Sequence, residues 1–148
     1  MTTSGPAGAG SASPYIADTN VYVMAANDAA FRAELEEFIR DRGPLLVSAI
    51  VVAEILIGIP DVSQHRLATR ALGAGAEILA PDPDDWTRAG TAIAQLGGEA
   101  ITKSRSFWND TLLAAQCSRL EITLITHNAA DFRRLGRYLA VRTVSPFP

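Results

Sequence analysis

Short apolar runs alternate with longer stretches of helical periodicity along most of the chain. Residues 15–18 form the first apolar run, which ends in an acid and predicts a strand. Residues 27–40 follow with large apolar side chains at helical spacing behind an Asn or Asp cap. Further strands are predicted at 45–47, 77–80, 123–126 and 138–144, and further helices at 48–58, 62–74, 83–96, 107–119 and 130–135. This alternation predicts an α/β domain with a mainly parallel sheet of four or five strands.

Two local expectations accompany this pattern. In the helix at 62–74, the spacing places Leu67, Ala71 and Leu72 on the inward face. Residues 99–105 are polar and predict a loop, after which Ser106 is a suitable N-cap for the next helix. Because open parallel sheets bind ligands beyond the carboxyl ends of their strands, the loops that follow the strands are where chemistry is expected.

Length and composition fit one domain. The chain has 148 residues, of which 48% are hydrophobic and 20% charged. Residues 1–13 are mainly Gly, Ala, Ser and Thr, so we expect a flexible tail there and a folded domain over residues 14–148. The longest apolar run, residues 49–59, contains Glu54 and is shorter than the roughly 20 residues of a membrane helix. With one cysteine and no signal sequence, the chain is expected to be cytoplasmic, with no membrane partner.

Charge restricts the functions that remain. The net charge of −3 and the pI near 5.3 argue against a protein that holds nucleic acid by general electrostatic attraction. His65, Cys117 and His127 are too scattered for a zinc site, and the sequence contains no phosphate-binding glycine motif and no nucleophile elbow. Any contact with nucleic acid must therefore be local.

Four acids stand at or near the ends of predicted elements. Asp18 ends the first strand, Glu54 interrupts an apolar helix, Asp110 tops an apolar helical stripe, and Asp131 follows the fourth strand. Each has a local alternative: a turn or helix cap for Asp18, an ion pair with Arg for Glu54, and helix-dipole stabilisation for the other two. Together they indicate a site for Mg²⁺ or Mn²⁺, because several neighbouring carboxylates stay ionised only with a cation between them.

The acids occur in a characteristic series of segments. Asp18-Thr-Asn20 comes first, then the SAIVVAEILIG stretch around Glu54, then NDTLLAA around Asp110, and finally LITHNAADF, which ends just after Asp131. In this order and spacing, over about residues 15–144, the chain resembles a PIN domain, in particular the VapC-type toxins of bacterial toxin–antitoxin pairs. The resemblance implies a three-layer α/β/α sandwich and a metal-dependent endoribonuclease.

The resemblance also assigns roles. It implies that Asp18, Glu54, Asp110 and Asp131 form the catalytic and metal-binding quartet, with Asn20 and Thr126 as supporting polar groups. It implies a small cognate antitoxin that buries an apolar segment in a groove, and a homodimer or higher toxin–antitoxin assembly. Two features depart from the family pattern, namely Val51, where a hydroxyl residue is common, and the N-terminal tail.

Substrate contacts are suggested by residues beside the acidic motifs. Three arginines, Arg105, Arg133 and Arg134, either contact RNA phosphates or form a solvated surface. Phe107 and Trp108 either stack on an unpaired base or pack in the core, and core packing is the favoured interpretation.

Two other classes of protein compete with the nuclease. A receiver-like signalling domain needs a paired acid near its first strand and a lysine after a late strand, whereas the chain offers only Asp18 and the loop residue Lys103. A non-catalytic PIN-fold module for RNA or protein binding would be expected to have lost one or more acids. All four are present, which favours a nuclease.

Overall fold

All strands of the structure run parallel, as predicted. The structure is a computed structural model that describes residues 15–74, 77–98 and 105–146. One sheet has the order β1-β4-β5, and a second consists of β2 and β3. A single parallel bridge between Ile16 and Leu46 links the two sheets, so β1 lies centrally. The strands are β1 Tyr15–Ala17, β2 Val47–Ser48, β3 Ile78–Leu79, β4 Thr123–Ile125 and β5 Thr143–Val144.

Helices connect the strands as the hydrophobic spacing predicted, with one addition. The sequence between Asp18 and Asn27 contains a helix, α1, that the pattern did not reveal. A short 3₁₀ turn, Val62–Gln64, precedes α4. The α-helices are α1 Thr19–Asn27, α2 Ala29–Arg42, α3 Ala49–Ile57, α4 His65–Gly73, α5 Pro83–Leu96, α6 Arg105–Leu120 and α7 Ala129–Leu135.

Side-chain caps fix where several helices begin. Asp28 accepts hydrogen bonds from the backbone N–H groups of Ala30 and Phe31 at the start of α2, and Ser48 accepts one from Ile50 at the start of α3. Two boundaries differ from the prediction: α6 already includes Ser106, and β5 covers only the end of the predicted 138–144 strand. The predicted tail at 1–13 and residues 99–104 of the predicted loop lie outside the described residues.

The core has two parts, one on each face of the sheet. Ile16 and Leu124 pack into the part built largely from α5, α6 and α7, whereas Ala17 and Ile125 pack into the part covered by α1 and α2. Neighbouring residues of a strand point to opposite faces, so this division follows directly from the strand pleat. Helices therefore cover both faces, which gives the three layers that the resemblance implied.

A buried polar chain attaches the two-stranded sheet to α6. The Ser48 hydroxyl donates to Oε1 of Gln116 at 2.7 Å, and the Gln116 amide donates to the carbonyl of Leu79 at 3.1 Å. Ser48 and Gln116 are both fully buried. Because buried polar groups are costly when unpaired, these bonds hold the middle of α6 in register with β2 and β3.

A second polar contact fastens α5 to α6. Asp85, fully buried, receives two hydrogen bonds of 2.8 Å from the Arg119 guanidinium. The same carboxylate accepts from the backbone N–H of Asp82, which in turn caps Asp85, so the pair forms a capping box. The start of α5 and the end of α6 are thereby held together.

The outer face of α4 differs from the prediction. Leu67 is 71% exposed and Ala71 is also exposed, so the expectation that both face inward is wrong, while Leu72 is half-buried. Together with Ile57 and Val62 they leave an apolar surface uncovered. No helix within the described ranges has the combination of length and hydropathy that a membrane crossing requires.

Candidate functional site

The four predicted acids lie on four different elements around the carboxyl ends of β1 and β4. Asp18 directly follows β1, and Asp131 lies in α7, the helix after β4. Glu54 comes from α3 and Asp110 from α6. The electrostatic effect of Asp18, Glu54 and Asp131 is felt at Asp110, so the structure brings all four into one cluster, which we call the acid cluster.

Asp18 is the most buried member of the acid cluster, and each of its two carboxylate oxygens accepts a hydrogen bond. Its Oδ1 accepts a hydrogen bond from the backbone N–H of Val21 and caps α1, while its Oδ2 accepts a hydrogen bond from the Thr126 hydroxyl. Burial raises the pKa of this carboxyl, although these hydrogen bonds lower it in part. The capping alternative is thus correct for Asp18, and it is compatible with the site hypothesis because the cap uses only Oδ1.

Glu54 is held by neutral donors. The Thr19 hydroxyl donates to its Oε1 at 2.6 Å, and the Asn109 amide donates to its Oε2 at 3.1 Å. Across the part of the chain that the structure describes, no Arg or Lys forms an ion pair with Glu54. The alternative of a structural ion pair therefore has no support there, and the negative charge stays available to another cation.

Asn128 bridges the other two acids. Its side-chain amide donates to Oδ2 of Asp131 at 2.9 Å and to Oδ2 of Asp110 at 3.4 Å. Its backbone N–H donates to the Thr126 hydroxyl oxygen, which itself donates to Asp18. A continuous path of hydrogen bonds thus joins three of the four acids, so α6 and α7 are oriented relative to the end of β1.

Burial and neighbouring negative charge act together on Asp110. Burial and the nearby charges of Asp18, Glu54 and Asp131 raise the pKa of Asp110 to about 7. Like charges within a few ångströms disfavour ionisation of a carboxyl, and a bound cation reverses that effect. At neutral pH the Asp110 carboxyl is therefore partly protonated in the metal-free protein.

The donor chemistry of the cluster fits a hard divalent cation. Carboxylate oxygens are the preferred ligands of Mg²⁺ and Mn²⁺. As placed, no three His, Cys, Asp or Glu side chains among residues 15–74, 77–98 and 105–146 are arranged to hold a metal ion. The carboxylates instead accept hydrogen bonds from hydroxyl and amide groups. These hydrogen-bond partners carry no charge, and among the described residues Arg134, 3.8 Å from Asp131, is the one charged group that a cation would compete with.

The supporting and substrate-binding residues predicted from the sequence differ in burial and in their contacts with the acids. Thr126 is fully buried and contacts Asp18, whereas the Asn20 side chain is exposed and only its backbone faces that carboxylate. Arg105 and Arg133 are exposed, and Arg134 lies 3.8 Å from Asp131. All three arginines lie on the two helices that carry Asp110 and Asp131, α6 and α7.

The two aromatic residues of α6 pack as favoured from the sequence. Phe107 is buried in the core, and Trp108 is half-buried against it. Arg134 lies over the Phe107 ring, with 5.4 Å between the guanidinium carbon and the ring centroid. The prediction of core packing is confirmed for Phe107.

Three polar residues that contact the acid cluster were not predicted as site residues from the sequence. Thr19 and Asn109 donate to Glu54, and Asn128 donates to Asp131 and Asp110. Each lies within three positions of an acid along the chain, inside the segments that carry the family resemblance. A polar residue close to Asp18, Asp110 and Asp131 was the available signal, but only the folded chain shows that Thr19 and Asn109 both donate to Glu54.

The raised pKa of Asp110 predicts how stability depends on pH without metal. Between about pH 4, where the unfolded carboxyl ionises, and pH 7, where the folded one does, only the unfolded state loses its proton, so stability falls as pH rises. Asp110→Asn removes this penalty, and we expect it to raise the Tm in chelator at pH 8 by several degrees and to change little at pH 4. Thermal unfolding across this range, with Glu37→Gln as control, tests the prediction. Parallel Tm profiles for Asp110→Asn and the wild type would contradict it.

Comparison with solved structures places this arrangement in a known fold. VapBC-1 from nontypeable Haemophilus influenzae is similar with a TM-score of 0.70 and 22% identity, over 88% of this chain and 96% of that one. VapBC2 from Rickettsia felis, bound to a promoter DNA fragment, has a TM-score of 0.64 and 21% identity, over 88% and 97%. A toxin–antitoxin complex from Klebsiella pneumoniae has a TM-score of 0.64 and 20% identity, over 90% and 98%.

Comparison by sequence gives the family. No curated protein matches the chain significantly. The family model of the PIN domain matches residues 15–138, which include all four acids and every strand except β5. The expected fold and the expected family are therefore both confirmed, and the chain belongs to the PIN domain family.

Proposed function

We propose that this chain is a metal-dependent endoribonuclease that hydrolyses RNA phosphodiester bonds with Mg²⁺ or Mn²⁺, and that it acts as the toxin of a toxin–antitoxin pair. Membership of the PIN domain family supports a nuclease. The likeness to structures of VapBC and of a toxin–antitoxin complex supports the toxin role. An RNA substrate agrees with the cytoplasmic location expected from the sequence.

The observation that carries the nuclease proposal is the accumulation of negative charge at Asp110. Burial and the charges of three other acids raise its pKa, and within the described ranges the one ion pair of the cluster is that of Arg134 with Asp131 at 3.8 Å. A purely structural site would be expected to pair most of these acids with Arg or Lys. Such unbalanced charge in a half-buried cluster is typical of functional sites.

Each acid of the cluster is assigned its own role in metal binding or in orienting water. Asp18 and Asp110 would hold the metal directly, Glu54 would bind it or a water on it, and Asp131 would complete the site or orient the attacking water. The bound metal activates water and neutralises charge on the phosphoryl group. Thr126 and Asn128 fix the orientation of the carboxylates from behind through the hydrogen bonds described above.

Arginines near the cluster would serve a polyanionic substrate. Arg105, Arg133 and Arg134 are exposed on α6 and α7, beside the acids. A guanidinium binds phosphate oxygens through two parallel hydrogen bonds, which offsets the repulsion between the cluster and RNA. Arg134 lies 3.8 Å from Asp131, at the long end of an ion pair, which supports a role in which its guanidinium would also reach a substrate phosphate.

An antitoxin partner would find an apolar groove between α1, α2, β2 and α4. Tyr22, Ile39, Leu45 and Leu72 line a cavity there of about 340 Å³. The exposed Val62 and Leu67 extend the apolar surface along α4 and the turn before it. This surface suits a partner helix or a second copy of the chain, consistent with the proposed homodimer or higher assembly.

Cleavage of RNA by the purified chain tests the nuclease proposal. A pool of single-stranded and structured RNA is incubated with the protein in Mg²⁺, in Mn²⁺ and in chelator. We expect cleavage with either metal and none in chelator, because hydrolysis needs the charge that the cation supplies. Cleavage that persists in chelator would contradict the metal requirement.

The alternative of a non-catalytic PIN-fold module predicts a different result in the same experiment. Such a module would bind RNA equally well with and without metal and would leave the RNA intact. Titration of Mn²⁺ in the absence of RNA separates the two further, since the proposed nuclease binds the ion and loses that binding when Asp110 is replaced by Asn.

A further inference from the structure

A mainly apolar slot opens directly beside the acid cluster. It lies between α3, α5 and α6, has a volume of about 370 Å³, and includes Ala53, Ile57 and Leu112 in its walls. Two members of the site, Glu54 and Asn109, line the same slot. A cavity of this size is within the range of pockets that bind small organic groups. The slot and the cluster are thus neighbouring parts of one surface.

Trp86 gives the slot an aromatic wall. This residue lies in the first turn of α5 and is 48% exposed, although tryptophan is usually well buried. Its ring centroid is 5.9 Å from that of Trp108, which packs against the core. The indole is therefore supported by a neighbour and still accessible, as a stacking platform must be.

Arg105 gives the wall of the slot a positive charge. Arg105 lines the slot, is exposed, and forms no ion pair with any described residue. An apolar cavity with an aromatic wall, an exposed guanidinium and a neighbouring acid cluster combines the three features that recognise a nucleotide: stacking, phosphate binding and proximity to the reacting group.

We infer that the slot is a base-binding subsite, in which one unpaired nucleobase of a single-stranded RNA stacks on Trp86 while Arg105 binds an adjacent phosphate. This inference rests on the proposed ribonuclease activity and names its substrate class as single-stranded RNA. Because the described walls of the slot are mainly apolar, stacking dominates over hydrogen-bond readout, and the subsite tolerates different bases.

Tryptophan fluorescence tests the subsite without requiring cleavage. The full chain carrying Asp110→Asn and Trp108→Phe keeps Trp86 as its one tryptophan. It is titrated in Mg²⁺ with a single-stranded hexamer of adenylate and with a hexamer of the same length that lacks bases. We expect the adenylate hexamer to quench the fluorescence and the abasic hexamer to leave it unchanged.

Substitutions in the Asp110→Asn background separate stacking from charge. By anisotropy of an end-labelled adenylate hexamer, Trp86→Leu is expected to weaken binding about tenfold, as loss of one stacked base does, and Trp86→Tyr to restore most of it. Arg105→Gln is expected to weaken binding of the adenylate and abasic hexamers alike. Arg40→Gln removes an exposed charge from α2 and serves as the matched control.

Two results would overturn the subsite: equal quenching by both hexamers, or unchanged affinity in Trp86→Leu. Sedimentation of the same variants shows whether a second copy covers the slot instead, since Trp86→Leu would then convert a dimer to a monomer without affecting RNA. If only the nuclease proposal fails, the adenylate hexamer still quenches Trp86 fluorescence more than the abasic hexamer, although the wild type cleaves no RNA. Conversely, cleavage without base-dependent quenching would remove only the subsite.

Discussion

Asp110→Asn is expected to lower RNA cleavage at least about a thousandfold while the protein remains folded. A metal-held phosphoryl group gains several kcal/mol of transition-state stabilisation, and about 4 kcal/mol corresponds to that factor. Asparagine matches aspartate in size and keeps an oxygen for the Asn128 amide, but it removes the charge that the three neighbouring acids make costly. Single-turnover cleavage of a labelled RNA in Mg²⁺ measures the loss.

Two further variants make this result specific. Asp18→Asn is expected to cause a similar loss, because asparagine still caps α1 but is a poorer metal ligand. Glu37→Gln removes the same charge from an exposed position on α2 and should leave the rate unchanged. Near wild-type cleavage by Asp110→Asn, with RNA binding intact, would place the active site elsewhere.

Asp85→Ala is expected to reduce the free energy of unfolding by about 3 kcal/mol, the largest stability effect we predict. The change leaves the Arg119 guanidinium without its two hydrogen bonds and removes half of the capping box at the start of α5. Loss of one partner of a buried pair costs about 3–5 kcal/mol, and the partial exposure of Arg119 places this case at the lower end. Urea unfolding at neutral pH measures it.

A neighbouring acid provides the control for this prediction. Asp84 is exposed in the same helical turn, so Asp84→Ala should change the unfolding free energy by less than about 0.5 kcal/mol. The dependence on pH follows from Asp85 itself: burial raises its pKa, but Arg119 and the Asp82 N–H outweigh this, and the net pKa lies below its ordinary value. Its stabilisation is therefore present above about pH 4 and is lost as pH falls through the folded pKa. Equal urea midpoints for Asp84→Ala and Asp85→Ala would refute the role of the pair.

Sequence periodicity predicted most of the helices and strands correctly. It failed where tertiary packing determines whether a segment is helical or which of its faces is buried. Strands such as β4 and helices such as α6 have strong apolar patterns, and the structure contains them. Helix α1 was missed because its residues from Val21 to Ala26 are all apolar, so no helical spacing of apolar and polar positions is visible there. Leu67 was placed inward because spacing identifies an apolar face but not whether another element covers it.

The candidate site was predictable for its acids and, through the family resemblance, for Thr126. A carboxylate after a strand or within an apolar helix is visible in one sequence, so Asp18 and Glu54 stood out. The partners of Glu54 did not, because Thr19 and Asn109 reach Glu54 across 35 and 55 positions of the chain. Such pairing is set by tertiary structure, which a local pattern does not encode.

The central position of β1 has a consequence for biosynthesis. This strand begins the described chain, but it pairs with β4, and Asp18 meets Thr126 only across 108 positions. Contacts between such distant residues form late, because the entropy cost of closing the intervening loop must be met before pairing of the two strands stabilises the chain. A nascent chain on the ribosome consequently has no complete acid cluster until β4 and α7 have emerged. If the chain is the toxin proposed above, it gains no cleaving activity before residue 131 has been translated and has left the ribosome.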